Sequence, residues 1–161
     1  MVAATLLPLS LAGTSCAAPP DPAPDPAPEP VAVDDQDPAQ WSAEALPPAP
    51  EGGFTVSGTL ASDPASGTES EADSQVAHDV EPGWYELVVS CAGTDDMTLD
   101  LHGPSTRFGT GYIPCQDTPI TMVSYLGDNP YVTPDDVSVV ASKASSAALW
   151  GVTASPTDAP G

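Results

Sequence analysis

Two histidines, His78 and His102, are the side chains of this sequence best suited to move protons near neutral pH. Both lie on the polar faces of predicted strands, and Asp100 precedes His102 by two residues on the same face. A carboxylate beside an imidazole can orient a general base, but serines are so abundant that choosing one as the nucleophile is arbitrary. The sequence has no G-x-S-x-G elbow and no H-E-x-x-H motif. We therefore expect two surface histidines in a protein that is not an enzyme.

Three cysteines, Cys16, Cys91 and Cys115, offer a second type of chemistry. Their spacing contains no CxxC pair and no Cys/His cluster, which argues against a zinc site. In an exported protein, three cysteines leave one thiol without a partner unless it has another use. If Cys16 carries lipid, Cys91 and Cys115 remain as a matched pair in an oxidising compartment. We expect these two to form a disulfide that closes a loop of about 25 residues and contributes roughly 3 kcal/mol to stability.

Aromatic side chains are candidates for stacking on a ligand. Strand parity turns Trp84 away from its inward-facing neighbours, so it is the predicted ligand platform, and its ring can stack on a sugar face. The other candidates for such a surface are Tyr112, Tyr125, Tyr131 and Trp150. Aromatic residues this sparse more often cover a sheet or fill a core, so a structural role is the competing interpretation.

Acidic side chains crowd one predicted loop, residues 63–73, and two more, Asp95 and Asp96, occupy a predicted turn. Carboxylate oxygens of this kind suit calcium. The spacing does not match an EF-hand, however, and acid-rich loops generally face water. We therefore predict no cofactor, with a structural calcium ion as the alternative.

The charge of the whole chain limits its partners. There are 23 Asp and Glu residues against two Lys and Arg, which gives a formal net charge of −21. Such a surface repels phosphate backbones and anionic headgroups, so we expect no nucleic acid partner. Cationic surfaces and metal ions are the electrostatically favoured partners, and solubility alone is the simpler explanation of the acidity.

The N-terminal region is typical of an export signal. Residues 2–13 form an apolar run without charge, which is too short to cross a bilayer that needs about 20 apolar residues. An apolar run followed by small residues is the pattern of a secretory signal, and we assign residues 1–18 to this segment. Export would place the folded domain outside the cytoplasm.

The end of this segment predicts a lipid anchor. Residues 13–16 (Gly-Thr-Ser-Cys) resemble a bacterial lipobox, in which the cysteine is diacylated and becomes the new N-terminus. Gly13 departs from that pattern, which usually has an aliphatic residue at this position. We expect Cys16 to attach the protein to the outer face of the cytoplasmic membrane. The alternative is ordinary signal-peptide cleavage after Ala17 or Ala18, which would release a secreted protein.

A proline-rich tract separates this signal from the rest of the chain. More than half of the 21 prolines lie in the first 50 residues, and the repeated Asp-Pro-Ala-Pro pattern excludes helix and sheet. We expect residues 19–53 to be a disordered Pro- and Asp-rich linker that acts as a spacer. Within it, residues 41–46 contain Trp41 and Leu46, which could dock loosely on the domain or form a short helix.

After Gly53 the sequence changes to short alternating runs separated by turn residues, which predicts an all-β domain. No stretch of a dozen residues has helical apolar spacing, so we expect a single, jelly-roll-like β-sandwich over residues 54–154 and a disordered tail over 155–161. We also expect the strand that begins at Met97 to pair beside the strand that begins at Trp84 as a hairpin. The predicted strands are Phe54–Leu60, Gln75–Val80, Trp84–Cys91, Met97–His102, Ile120–Leu126, Val137–Ser142 and Ala147–Ala154.

Residues 83–91 (GWYELVVSC), a second cysteine two dozen residues later, and residues 147–152 (AALWGV) resemble secreted lipoproteins of actinobacteria. The first of these strands is also similar to jelly-roll modules appended to secreted hydrolases. The resemblance implies an extracellular β-sandwich and no particular activity.

Together these features predict a cell-envelope lipoprotein whose β-sandwich is a non-enzymatic binding or interaction module. Its expected partners are the membrane, through the lipid, and a cell-wall component or envelope protein. The alternatives are a carbohydrate-binding accessory domain and a secreted hydrolase.

Overall fold

The computed structural model describes residues 33–61, 71–116, 118–127 and 135–160. These residues form one short α-helix, α1, and eight strands, preceded by a single 3-10 turn. Within the described ranges, no helix has the length and apolar character needed to cross a bilayer. The elements are α1 (Pro38–Ala45), β1 (Phe54–Leu60), β2 (Asp73–Val80), β3 (Gly83–Ala92), β4 (Asp96–His102), β5 (Arg107–Pro114), β6 (Ile120–Leu126), β7 (Asp135–Ser142) and β8 (Ala148–Thr157).

The strands form two four-stranded sheets in which every pairing is antiparallel. The first, sheet A, has the order β1-β8-β3-β6, and the second, sheet B, has the order β2-β7-β4-β5. In β4 the inward side chains Met97, Leu99 and Leu101 alternate with partly exposed polar ones. This alternation gives each sheet one apolar face, and burial of these faces against each other forms the core. The predicted β-sandwich is confirmed.

The fully buried core lies between the sheets. Its largest side chain is that of Trp150 on β8, which has no exposed surface. The neighbouring strand β3 contributes Tyr85, Leu87 and Val89, whose parity places them on the same inner face. From sheet B the core receives residues such as Met97 and Val139. Burial of each such aliphatic side chain contributes about 1.5–3 kcal/mol.

The expected hairpin between β3 and β4 is wrong. Strand β3 pairs with β6 and β8, whereas β4 pairs with β5 and β7 in the opposite sheet. Gly93 lies directly after β3 with a φ of +94°, a left-handed conformation that glycine adopts without strain, and there the chain leaves sheet A. A Cβ at this position would also lie 2.5 Å from the carbonyl oxygen of Ala147. The connection therefore crosses between the sheets.

Strand β5 was absent from the predicted set. Its sequence, RFGTGYIP, has two glycines and no regular alternation of apolar residues. It forms because β4 offers a complete edge for pairing, with Thr98 opposite Tyr112 and Asp100 opposite Thr110. Tertiary pairing thus overrides a weak local preference for strand.

Helix α1 lies inside the segment that the sequence predicts to be a linker. Its N-terminus is capped by the Asp37 side chain, which accepts hydrogen bonds from the amides of Ala39 (2.8 Å) and Gln40 (3.2 Å). Pro38 occupies the first turn, where its missing amide hydrogen costs nothing. From the sequence, residues 41–46 could dock loosely on the domain or form a short helix. In the structure the helix forms, and it also packs on the domain.

The helix packs on the outer face of sheet A, over β1 and β8. Ser42 and Leu46 are buried there, against Gly151 of β8. A Cβ at position 151 would come within 2.9 Å of the Leu46 side chain, so glycine permits the close approach. The Thr153 hydroxyl donates to the carbonyl oxygen of Pro47 (3.0 Å) and continues the contact beyond the helix. One half of this outer face is therefore covered.

Candidate functional site

Cys91 and Cys115 are joined by a disulfide, as the sequence predicted. Their Cα atoms lie 5.0 Å apart, and the bond joins β3 of sheet A to the residue that follows β5 of sheet B. Cys91 is buried, whereas Cys115 is partly exposed. The bridge connects the two sheets directly, in addition to their apolar contact. Cys16, the predicted lipid attachment site, and the whole predicted export segment lie outside the described residues.

Trp84 lies on the outer face of sheet A, in the orientation that strand parity predicted. It faces Tyr125 of β6 across the strand pair, with ring centroids 5.6 Å apart and planes at 75°. Both rings are partly buried, and next to them on the same face are the exposed side chains of Glu86 and Val123. An edge-to-face pair of this kind is a favourable packing arrangement. The pair thus covers this part of the sheet, and both rings remain partly exposed.

Tyr112, on the outer face of sheet B, is the most exposed of the large apolar side chains in the described part of the chain. With 68% of its surface accessible, its ring is nonetheless tethered at one point, because its hydroxyl donates to Oδ2 of Asp96 (2.7 Å). This hydrogen bond raises the pKa of Tyr112, since loss of the proton would leave two negative charges side by side. The tether restrains the ring without burying it.

Asp100 is on the same outer face, opposite Thr110 in the outward cross-strand pair next to that of Thr98 and Tyr112. Polar groups surround its side chain. Its Oδ1 accepts hydrogen bonds from the guanidinium group of Arg107 and from the hydroxyl of Thr110. Burial raises the pKa of Asp100, but the two hydrogen bonds and the charge of Arg107 outweigh burial, and the net pKa lies below its ordinary value. We call the residues Asp96, Thr98, Asp100, Thr110 and Tyr112, together with Arg107, the Tyr112 face.

The histidines occupy surface positions. His78 Nδ1 lies 3.0 Å from an oxygen of Asp136, and both side chains are mostly exposed. His102 is partly exposed and lies opposite Ser138 on one side and Arg107 on the other. Exposed pairs of this kind contribute little to stability.

The acidic loop that was the alternative calcium site, residues 63–73, is only partly described. Asp63 and Glu69 lie outside the described residues, while Asp73 begins β2. Among the residues that the structure does describe, no three His, Cys, Asp or Glu side chains form a group suited to a metal ion. The Asp73 carboxylate is used in another way. It accepts hydrogen bonds from Nε1 of Trp150 (2.9 Å) and from the amide of Thr59 (3.1 Å).

Sequence reasoning treated Asp73 as one more loop acid and did not find this contact. A signal was nevertheless present in β1, where Gly58 interrupts a strand of otherwise larger residues. Glycine inside a strand often marks the close approach of another group. Here a Cβ at position 58 would lie 1.7 Å from Oδ2 of Asp73, so the carboxylate fills the space that a side chain would need.

No model of a known protein family matches this chain, and a search of curated proteins finds no significant relative. The structure alone defines the class of protein: a disulfide-bridged antiparallel β-sandwich whose two outer faces differ. Sheet A carries the docked helix and the Trp84–Tyr125 pair, whereas sheet B carries the Tyr112 face.

Proposed function

We propose that this chain is a cell-envelope lipoprotein whose extracytoplasmic β-sandwich acts as a non-enzymatic binding module. The observation that supports this best is the disulfide between Cys91 and Cys115. Disulfides form and persist outside the reducing cytoplasm, so a bridge between the two sheets favours maturation after export. The third cysteine, Cys16, is then available for lipid, and the acyl chains hold the domain at the outer face of the cytoplasmic membrane.

The kind of partner follows from charge and shape. A formal net charge of −21 repels polyanions, which favours an uncharged or cationic component of the cell wall or an envelope protein. Side chains able to bind such a partner lie on the outer faces of the sheets, where aromatic rings and hydrogen-bonding groups are close together. A rigid sheet holds these groups in fixed positions, which lowers the entropy cost of binding.

Fractionation of the producing cells tests the anchor. The wild-type protein should partition into the detergent phase, because two acyl chains bind a membrane stably. The Cys16→Ala variant should lose this behaviour, and the matched Ser15→Ala variant should keep it. Mass spectrometry of the mature N-terminus should find a diacylated Cys16. Full-length, unprocessed protein with reduced Cys91 and Cys115 inside the cell would contradict the proposal.

A carbohydrate-binding accessory domain is the second candidate. It is favoured by aromatic rings that point outward from both sheets, the Trp84–Tyr125 pair on sheet A and Tyr112 on sheet B. The apolar faces of sugar rings stack on such aromatic surfaces. The test is retention of the wild-type chain by neutral polysaccharides in native affinity electrophoresis, and migration unchanged by every polysaccharide would contradict this candidate.

A further inference from the structure

The Tyr112 face combines an exposed ring with a preferred orientation. Tyr112 is 68% accessible, yet the hydrogen bond from its hydroxyl to Asp96 favours one orientation of the ring over the sheet. A free surface tyrosine would lose side-chain entropy when a ligand stacks on it. The tether to Asp96 removes part of that freedom before any ligand arrives, so the ring is preorganised for stacking.

Polar side chains surround this ring in two rows that run across the strands. Thr98 lies opposite Tyr112, and Ser142 of β7 lies opposite Thr98. In the next row, Asp100 lies opposite Thr110. Neighbouring strands are about 4.8 Å apart and the two rows about 7 Å apart, so the hydroxyl and carboxylate groups lie within reach of a molecule that covers the ring.

Asp100 and Arg107 form an ion pair on this face, whereas Asp96 is bonded to the neutral hydroxyl of Tyr112. Asp100 accepts hydrogen bonds from Arg107 and Thr110, and Asp96 accepts one from Tyr112. The Asp100–Arg107 pair is locally neutral, and it presents the donor N–H groups of the half-exposed Arg107 beside the smaller exposed part of the Asp100 carboxylate. Adjacent hydroxyl groups of a sugar are donors and acceptors at once, so they match such a pair. A polyanion is excluded by the net charge of −21, and a polycation would have to compete with Arg107 for Asp100.

We propose that the Tyr112 face binds an uncharged polysaccharide chain, with one sugar ring stacked on Tyr112 and its hydroxyl groups bonded to Asp100 and Arg107. The inference rests on the carbohydrate-binding candidate above and assigns its site to sheet B. The C–H groups of the sugar carry slight positive charge and meet the negative face of the ring. Thr98 and Thr110 supply further hydrogen-bonding groups at the sides.

The Trp84–Tyr125 pair is less suited to this role. These two rings pack edge to face against each other, 5.6 Å apart, and both are partly buried. Much of their surface is therefore already in contact with protein. In addition, Glu86 is the exposed charged neighbour of these rings. Among the described contacts, it has no cationic partner of the kind that Arg107 provides for Asp100.

Native affinity electrophoresis of the full chain in non-ionic detergent tests the proposal. The probes are β-glucan, mannan and arabinogalactan, each cast into the gel. Because the protein is strongly anionic and the probes carry no charge, slower migration reports binding directly. Tyr112→Ala should weaken the apparent affinity about tenfold, the loss of one aromatic stacking contact. Tyr112→Phe should weaken it less, since the ring remains and only the tether to Asp96 is lost.

His78→Ala is the matched control, because it removes an exposed ring from β2 of the same sheet, outside the Tyr112 face. It should leave migration unchanged, and the thermal midpoint of Tyr112→Ala should equal that of the wild type. Loss of binding in Trp84→Ala with none in Tyr112→Ala would overturn the Tyr112 site and leave a carbohydrate-binding module in place. Wild-type migration unaffected by all three probes would overturn both.

Discussion

The carboxylate of Asp73 accepts a hydrogen bond of 2.9 Å from the indole Nε1 of Trp150, and this bond joins β2 of sheet B to β8 of sheet A. Trp150 is fully buried, so its N–H group needs a partner inside the protein. The same carboxylate accepts from the amide of Thr59 (3.1 Å). The two sheets are therefore linked by this polar contact of Asp73 as well as by the covalent Cys91–Cys115 disulfide.

Removal of this carboxylate should destabilise the domain. In Asp73→Ala the buried N–H of Trp150 loses its acceptor, and we expect the free energy of unfolding to fall by about 2–3 kcal/mol. Urea denaturation followed by tryptophan fluorescence measures the change. The control, Asp136→Ala, removes a mostly exposed carboxylate next to His78 and should shift stability by less than about 0.5 kcal/mol. Equal effects of the two variants would contradict the structural role of Asp73.

Two strand glycines should respond in opposite ways to alanine. At Gly58 the new methyl group would overlap Oδ2 of Asp73, so Gly58→Ala should cost about 1–3 kcal/mol. At Gly109 a Cβ has no atom within 4 Å and φ lies outside the left-handed region. Gly109→Ala should therefore leave the thermal midpoint unchanged or raise stability by up to about 1 kcal/mol. Calorimetry of both variants decides, and a destabilised Gly109→Ala would show that β5 needs its glycine.

Loss of the disulfide should weaken the sandwich without changing its fold. The bond spans 24 residues, and the chain-entropy model gives a contribution of roughly 3 kcal/mol. The double variant Cys91→Ala/Cys115→Ala should lose that amount in urea denaturation, and a reducing agent should cause a similar loss in the wild type. The reducing agent should have no effect on the double variant. Two alkylatable thiols at Cys91 and Cys115 in the unreduced wild type would refute the bridge.

The stability that Asp100 provides should depend on pH. Because the folded pKa of Asp100 lies below its ordinary value, this stability is fully present above the ordinary carboxyl pKa of about 4. It is lost as the pH falls through the folded pKa. Asp100→Asn should therefore cost about 1 kcal/mol at pH 7, since Arg107 is half exposed and screened by solvent, and the difference should shrink as the pH falls below the ordinary carboxyl pKa.

Urea denaturation of wild type and variant at pH 7 and below the ordinary carboxyl pKa measures this dependence. Glu86→Gln, which alters an exposed carboxylate on the other sheet, is the control and should show no such convergence. A wild-type advantage over Asp100→Asn that does not shrink as the pH falls would rule out the ionised carboxylate as its source.

The strands with regular alternation could be predicted from sequence, and the partners of those strands could not. Parity along residues 84–91 was enough to place Tyr85 inside and Trp84 outside. The pairing of β3 with β8 depends on which apolar faces fit together across the whole sandwich, and neighbouring residues carry no information about that fit. For this reason the expected β3–β4 hairpin was wrong.

The candidate sites follow the same division. The outward position of Trp84 comes from local alternation, whereas the bond between Tyr112 and Asp96 comes from the register of β4 and β5, in which Asp96 lies opposite Pro114. That register requires β5, which could not be predicted because its two glycines interrupt the apolar alternation that marks a strand in the sequence. Helix α1 was foreseeable in part, since Asp37 and Pro38 are recognised start signals, but its docking depends on Gly151, far along the chain.

The way in which β1 and β8 meet has a mechanical consequence. Phe54, at the start of β1, lies opposite Ala154, near the end of β8. The described chain enters the domain at the other end of β8, because Val33 lies beside Gly93 and Ala147. The segment from Val33 to β1 therefore runs along β8, with contacts of Leu46 and Pro47 on the way. A tensile load between Val33 and the end of β8 would have to shear these contacts before it could separate β1 from β8 one hydrogen bond at a time.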